Sequence, residues 1–556
     1  MKKIYLISIF VAMVMMVSMN ACQDINLLPK NELADDLFWK SPEDYMKAVN
    51  SLYNSMESFD ARDTDSDISY GLNENSTSNG TYIAANTDGA WNDRFSDLRQ
   101  CNRIIEASKT YAKDFSEIER YVAEAHFFRA YNYWRLMKRF TDVPIIKVPL
   151  NVDSPELYAK RDSQKDVEDF ILSDLEECYS KLPKKSELKS DEKGRVTQGA
   201  ALALKARVAL YSGTWAKYHK HRDDYKQLLD QAITAAELVR VSGEYQLFES
   251  EGDDSYRQLF IDKGDNANEA ILDNRYEKDI RMHSTSHSVF YGWRDIPTKK
   301  MADMYLCKST GLPIEVNGSG FKGYETIKDE FENRDPRMSQ TFLIPGTEYI
   351  NVEFGNAVCN PKFNIRPETR TGYKSWKFMG EIVGIGINSS AYDYHIIRYP
   401  EVLLILAEAT FEKEEKISNE VLKNTINVIR GRKGVEMPPL TNEFVNANGL
   451  DMLTEIRRER TVELAFEGFR RDDLRRWKTA ETELKQAIRG IKYKGTEYEE
   501  LEVLNDNNPG SVDADGFLIV EPAANRFFTA PKHYYYSLPL DETIKNSNLL
   551  PNNPGW

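Results

Sequence analysis

Residues 42–241 place apolar side chains at helical spacing in one stretch after another, and short turn-rich connections separate the stretches. No other feature restricts the fold as strongly. Ser41-Pro42-Glu43-Asp44 has the form of an N-cap with proline at the first helical position and acids in the first turn, opening a helix through Tyr45, Val49 and Tyr53. Further amphipathic stretches cover 91–109, 116–139, 163–182, 197–218 and 224–241, and a second helical block is expected at 399–413, 418–430 and 450–477. Short connections make successive helices antiparallel neighbours.

Small residues recur on these helices, as in Gly199, Ala200, Ala201, Ala203 and Ala206 and again in Ala232, Ala235 and Ala236. They permit close contact, so the expected scaffold is mainly α, built of tetratricopeptide-like helical hairpins. Between 244 and 394 the texture changes to Gly, Asn and Pro scattered among short apolar runs, which predicts a loop-rich subdomain. The expected organisation is a leader at 1–21, a helical region at 22–243, an irregular ligand-binding region at 244–394, a returning helical part at 395–489 and an irregular end at 490–556.

The first residues address the chain. Lys2 and Lys3 precede an uncharged run from Ile4 to Ser18, a secretory signal too short to span a bilayer comfortably. It ends in Met19-Asn20-Ala21-Cys22, where a small residue before cysteine predicts cleavage and lipidation of Cys22. Two or more acyl chains make a stable anchor. Cys101, Cys178, Cys307 and Cys359 lack the spacing of a zinc site or a dense disulfide framework. A net charge of −15 argues against binding to nucleic acid phosphates.

Several motifs, in order along the chain, resemble the SusD/RagB family. Phe38-Trp39-Lys40-Ser41 with Ala48 to Tyr53 resembles the family's opening helix, after Leu28-Pro29. Ala123 to Ala130, leading to Phe140-Thr141-Asp142-Val143-Pro144, resembles a characteristic helix and exit turn, with Thr141 where Gly is usual. Arg334-Asp335-Pro336-Arg337-Met338, Arg398-Tyr399-Pro400-Glu401, and Arg457 through Glu463 and Glu467 to Trp477 match further signatures, and Asn553-Pro554-Gly555-Trp556 fits the family's close. The resemblance implies an outer-membrane lipoprotein facing the cell exterior, which binds glycan without turnover and sits as a lid over a SusC-like, TonB-dependent transporter. Peptide capture, as in RagB-like relatives, is an alternative, and a carbohydrate-active enzyme is an alternative of another class.

Chemistry-bearing patterns are weak by comparison. An enzyme cleaving glycosides needs two carboxylates flanking the bond, and with 88 acidic residues some pair always offers itself. Glu459, Glu463 and Glu467 lie at helical spacing beside Arg458, Arg460 and Arg470, which predicts internal ion pairs. Gly318-Ser319-Gly320-Phe321-Lys322-Gly323 matches a dinucleotide fingerprint but lacks its βαβ unit, and His283 and His287 lack the zincin glutamate between them. Asp63, Asp65, Asp67 and Glu74 follow calcium-loop positions, with Ile68 in place of the turn glycine. No cofactor is expected.

The ligand expectation rests on aromatics. The chain has 30 Tyr, 25 Phe and 8 Trp, several of them in Gly, Asn and Ser-rich loops. A sugar presents an apolar C–H face and hydroxyls needing partners, so a flat ring beside amides suits it. The platforms expected on that ground are Trp91, Tyr291 with Trp293, and Trp376 with Tyr373, with Asn73 and Asn75 in a further polar loop beside Tyr70 and Tyr82. Trp293 is the preferred anchor.

Overall fold

The computed structural model describes residues 38–59, 63–351, 355–361, 371–381, 386–504 and 510–556. The leader, Cys22, the Leu28-Pro29 pair and Asn505 to Pro509 lie outside the described residues.

Local capping sets the helix starts. Helix α1 (Pro42–Leu52) opens where the Asp44 carboxylate accepts the Ser41 N–H at 2.9 Å and its hydroxyl at 2.7 Å. Asp88, Ser163 and Thr197 cap α2 (Gly89–Tyr111), α4 (Gln164–Tyr179) and α5 (Gln198–His219), while α3 covers Glu119–Phe140 and α6 Tyr225–Val241. Each of α2 to α5 packs on its successor. Helix α7 is the short Thr285–Phe290, and α8 (Tyr399–Glu414) returns against α5 and α6. Helices α5 and α8 are buried nearly all round, as their apolar character on every face requires. Gly213 permits the α5–α6 approach, since a Cβ there would stand 2.9 Å from the Leu229 side chain.

Two expected helices are divided. The 418–430 stretch forms Asn419–Asn424 and Ile426–Arg430, parted at Thr425 (φ −129°, ψ −94°). The 450–477 stretch forms α9 (Met452–Glu463) and α10 (Arg470–Arg476), and Phe466 (φ 65°) and Gly468 (φ 83°) turn the chain between them. The second break has a tertiary cause. Asp63, from a distant loop, accepts the backbone N–H of Arg470 at 2.9 Å and so caps α10.

The signature residues form a buried ionic web. Glu463 meets Arg398 at 2.6 Å and Arg337 and Arg432 at 3.0 Å, Glu467 meets Arg398 and Lys377 at 2.8 Å, and Glu459 meets Arg337 and Arg430 at 2.7 Å. Arg458, Arg460 and Arg470 turn instead to Glu455, Asp473 and Asp67. The expected pairing is therefore internal, but apart from Arg458 with Glu455 it does not run along the helix face: other elements supply the partners. Burial explains the density of bonds, because charges removed from water need several partners each.

The strands are short. Strand β1 (Ser69–Tyr70) pairs antiparallel with β3 (Ile296–Pro297), β2 (Ala270–Asn274) with β6 (Tyr394–Arg398), and β4 (Glu348–Asn351) with β5 (Gly355–Val358). Strands β7 (Ile488–Lys492), β9 (Phe517–Glu521) and β8 (Ser511–Val512) form a sheet in that order. The fold is mainly α, and one apolar core runs from Trp39 in the helical part through Phe290 and Tyr373 to Leu549. Cys101, Cys178, Cys307 and Cys359 are buried and form no disulfide among the described residues. Among the described residues no helix is long and apolar enough to cross a membrane.

Candidate functional site

The segment after α7 builds an exposed aromatic pair from backbone geometry. Gly292 (φ 70°) donates to the Val289 carbonyl at 3.1 Å and Trp293 donates to that of Ser288 at 2.8 Å, a Schellman closure that ends the helix. The turn stacks the Trp293 ring on Tyr291, with centroids 5.1 Å apart and planes 17° from parallel. Trp293 keeps 41% of its surface exposed, and Tyr291 is half-buried. Behind the pair, buried Arg294 donates to the Asp295 carboxylate and to the Phe59 carbonyl, fixing the chain as it enters β3.

Strand pairing then brings a second loop alongside. The register Tyr70↔Ile296 places the segment after β1 next to that before β3, and a Cβ on Gly71 would lie 3.8 Å from the Trp293 carbonyl oxygen. Leu72 and Asn73 in that loop are exposed, and the Asn73 side chain has no hydrogen-bond partner among the described residues. Asn75 is partly committed, because its Oδ1 accepts the N–H groups of Thr77 and Ser78 at 2.9 and 3.0 Å and caps the turn Ser76–Asn79. Two separate sequence predictions, Tyr291 with Trp293 and Asn73 with Asn75, thus lie in adjoining loops. Leu72 carries no signal in the sequence, since its exposure follows only from the β1–β3 pairing.

The other platforms are packed differently from the expectation. Trp91 is buried, with Phe95 and Phe140 at 4.9 and 5.3 Å. Tyr373 is buried and donates to Glu330 at 2.6 Å, and burial pushes its hydroxyl well above the usual phenol range. Trp376 is half-buried with the Arg257 guanidinium 4.2 Å from its ring centre. Tyr82 packs edge-on to Tyr536 and Trp556, and Tyr70 lies in the core.

The calcium-loop reading is corrected. Asp67 forms a bidentate pair with Arg470 at 2.8 Å, Asp63 accepts the N–H of Arg470, Asp65 lies 3.9 Å from Arg471, and Glu74 points to solvent. Burial raises the Asp63 acid well above its ordinary value and raises that of Asp65 as well. These carboxylates fasten the 63–67 loop to α10. His283 packs among Phe59, Tyr276 and Tyr392 at 4.1 to 4.8 Å, and burial depresses it to about 4. The Gly318–Gly323 run lies outside any helix or strand, pinned where the Asn333 amide donates to the Gly320 carbonyl at 3.0 Å.

This architecture has known counterparts. The model described as "SusD family" matches residues 260–556, more than half of the chain, and that described as "Starch-binding associating with outer membrane" matches residues 27–210. The chain belongs to the SusD family. Among its relatives, SusD-like protein P2 of Formosa agariphila is 24% identical, with 98% of each chain covered. A SusD-like carbohydrate binding protein from Bacteroides fragilis NCTC 9343 superposes with a TM-score of 0.75 at 23% identity, over 92% of this chain and 100% of its own. A laminarin binding SusD-like protein superposes with a TM-score of 0.58 at 20% identity, over 93% and 100%. At these identities the solved structures show a shared SusD-like fold.

Proposed function

We propose that this SusD-family protein is a cell-surface glycan-binding lipoprotein that captures oligosaccharide and delivers it, without chemical turnover, to a SusC-like TonB-dependent transporter in the outer membrane. The carbohydrate class is supported by the family and by the named ligands of similar folds. The observation that carries the reading is the exposed, stacked Tyr291–Trp293 pair, with the exposed Asn73 in the adjoining loop. The rings offer an apolar face to sugar C–H groups and Asn73 offers both donor and acceptor to hydroxyls. Lipidation at Cys22 would hold the chain at the membrane beside its transporter.

Titration calorimetry with starch and laminarin, together with affinity electrophoresis, tests the platform. Trp293→Ala should weaken binding by roughly 1–3 kcal/mol, the order expected for losing a large apolar contact, with an unchanged melting temperature. Unaltered affinity in the folded variant removes this loop from the site. Extraction in mild detergent tests delivery, since the lipoprotein should copurify with a TonB-dependent porin.

A further inference from the structure

We propose a second saccharide-contact site in the cleft between the 245–250 segment, the 265–268 turn and the N-terminus of α8. The proposal rests on the carbohydrate-binding reading above but uses none of the platform residues. The cleft has a volume of about 680 Å³, within the range of small-ligand sites. Its aromatic wall is Tyr399, half-buried and stacked on Tyr245 with centroids 6.5 Å apart and planes at 27°.

Leu247, Phe248, Ala267 and Val428 add apolar lining, and several of the polar groups beside them are poorly partnered. Gln246, Ser250 and Asn268 are exposed, and their side chains make no hydrogen bond among the described residues, nor does the Tyr399 hydroxyl. Asn266, held at φ 61°, accepts Arg275 at 2.9 Å through Oδ1, which leaves its amide N–H groups free. Asp265 accepts the Asp393 N–H at 2.7 Å through one oxygen and leaves the other to the cleft. Burial and the neighbouring Asp393 charge push this acid up to about 7, so near neutral pH it offers both a donor and an acceptor.

A sugar hydroxyl donates and accepts at once, and a ring edged by unpartnered amides and hydroxyls and by the carboxyls of Asp265 and Glu249 answers both needs. Two other large clefts differ in their lining. The one beside Trp91 is mostly apolar, with Val148, Val152 and Leu157 in its wall, and in the one between the 299–304 segment and α9 charged groups are already paired, as Lys299 with Asp303 and Lys300 with Glu483. Two contacts on one protein would hold a polymer more tightly than either alone, because the second forms at high effective concentration.

Affinity electrophoresis in gels containing starch or laminarin, followed by calorimetry with the retarding glycan, separates the outcomes. The double variant Gln246→Ala/Asn268→Ala changes two exposed side chains and should keep its melting temperature while polymer affinity falls three- to tenfold, with a further fall when Trp293→Ala is added. Tyr399→Phe, which keeps the ring and removes its hydroxyl, should lose affinity in the same direction and guards against a folding defect in the double variant. If Trp293→Ala weakens binding while the double variant and Tyr399→Phe bind as wild type, the second site is overturned and the platform stands. If neither glycan retards the wild-type protein, the carbohydrate reading and this proposal fall together.

Discussion

Glu463→Gln removes one charge from the centre of the buried web and leaves the shape of the side chain. Glu463 has no exposed surface and bonds Arg398, Arg337 and Arg432, each of which is at most 1% exposed. Burial by itself would raise its acid, but the three guanidiniums outweigh it and pull the pKa from 4.5 down to about 2. At about 1.36 kcal/mol per pKa unit, that difference stabilises the fold by about 3 kcal/mol. Loss of one partner from a buried pair gives a similar range, about 3–5 kcal/mol. Because the folded pKa is depressed, the stabilisation is complete above 4.5 and is lost as pH falls through about 2. Urea titration followed by tryptophan fluorescence should show the variant weaker by about 3 kcal/mol at pH 7, with the gap closing toward pH 2. A deficit under about 1 kcal/mol at pH 7, or one independent of pH, would refute the assignment of this stability to the Glu463 charge.

His395 titrates with the opposite sign. Its buried ring faces the Asp273 carboxylate at 2.7 Å and the Leu259 carbonyl at 2.9 Å; burial opposes its charge, but Asp273 outweighs it and raises the pKa from 6.5 to about 9. His395→Gln should therefore cost up to about 3 kcal/mol below pH 6.5, an effect lost as pH rises through about 9, as thermal melts across pH would record. Gly80 has φ 75° and a Cβ there would stand 1.7 Å from the Phe527 carbonyl oxygen, so Gly80→Ala should lower stability by about 1–3 kcal/mol in urea titration. Cys22→Ser should release the mature chain from membranes into the soluble fraction, and membrane attachment unchanged by the substitution would remove the lipid anchor.

Helix positions were legible because caps and periodicity are local. Ser41 with Asp44, and Thr197 with Ala200, close within three residues, and the small side chains of α5 announce a helix packed on every side. The signature residues could likewise be recognised as internal and ionic, and the 291–293 turn as aromatic and irregular. Their partners could not be read, because interior charges pair across elements: Asp63 caps Arg470 from 407 positions away, and Glu463 finds Arg398 at a separation of 65. That long-range cap also divides α9 from α10 where periodicity alone runs on.

The candidate site shows the same division. Trp91, Trp293, Trp376 and Tyr373 sit in similar polar sequence, and the tertiary structure sorts them: Phe140 helps bury Trp91, Glu330 takes the Tyr373 hydroxyl, and Arg257 lies over Trp376. Trp293 stays exposed because Gly292 turns it outward, and the loop carrying Asn73 is brought to the adjoining backbone by the two-residue β1–β3 pairing between segments more than two hundred residues apart. A large aromatic ring gains free energy by burial wherever a complementary surface exists, and only the folded chain decides which rings find one.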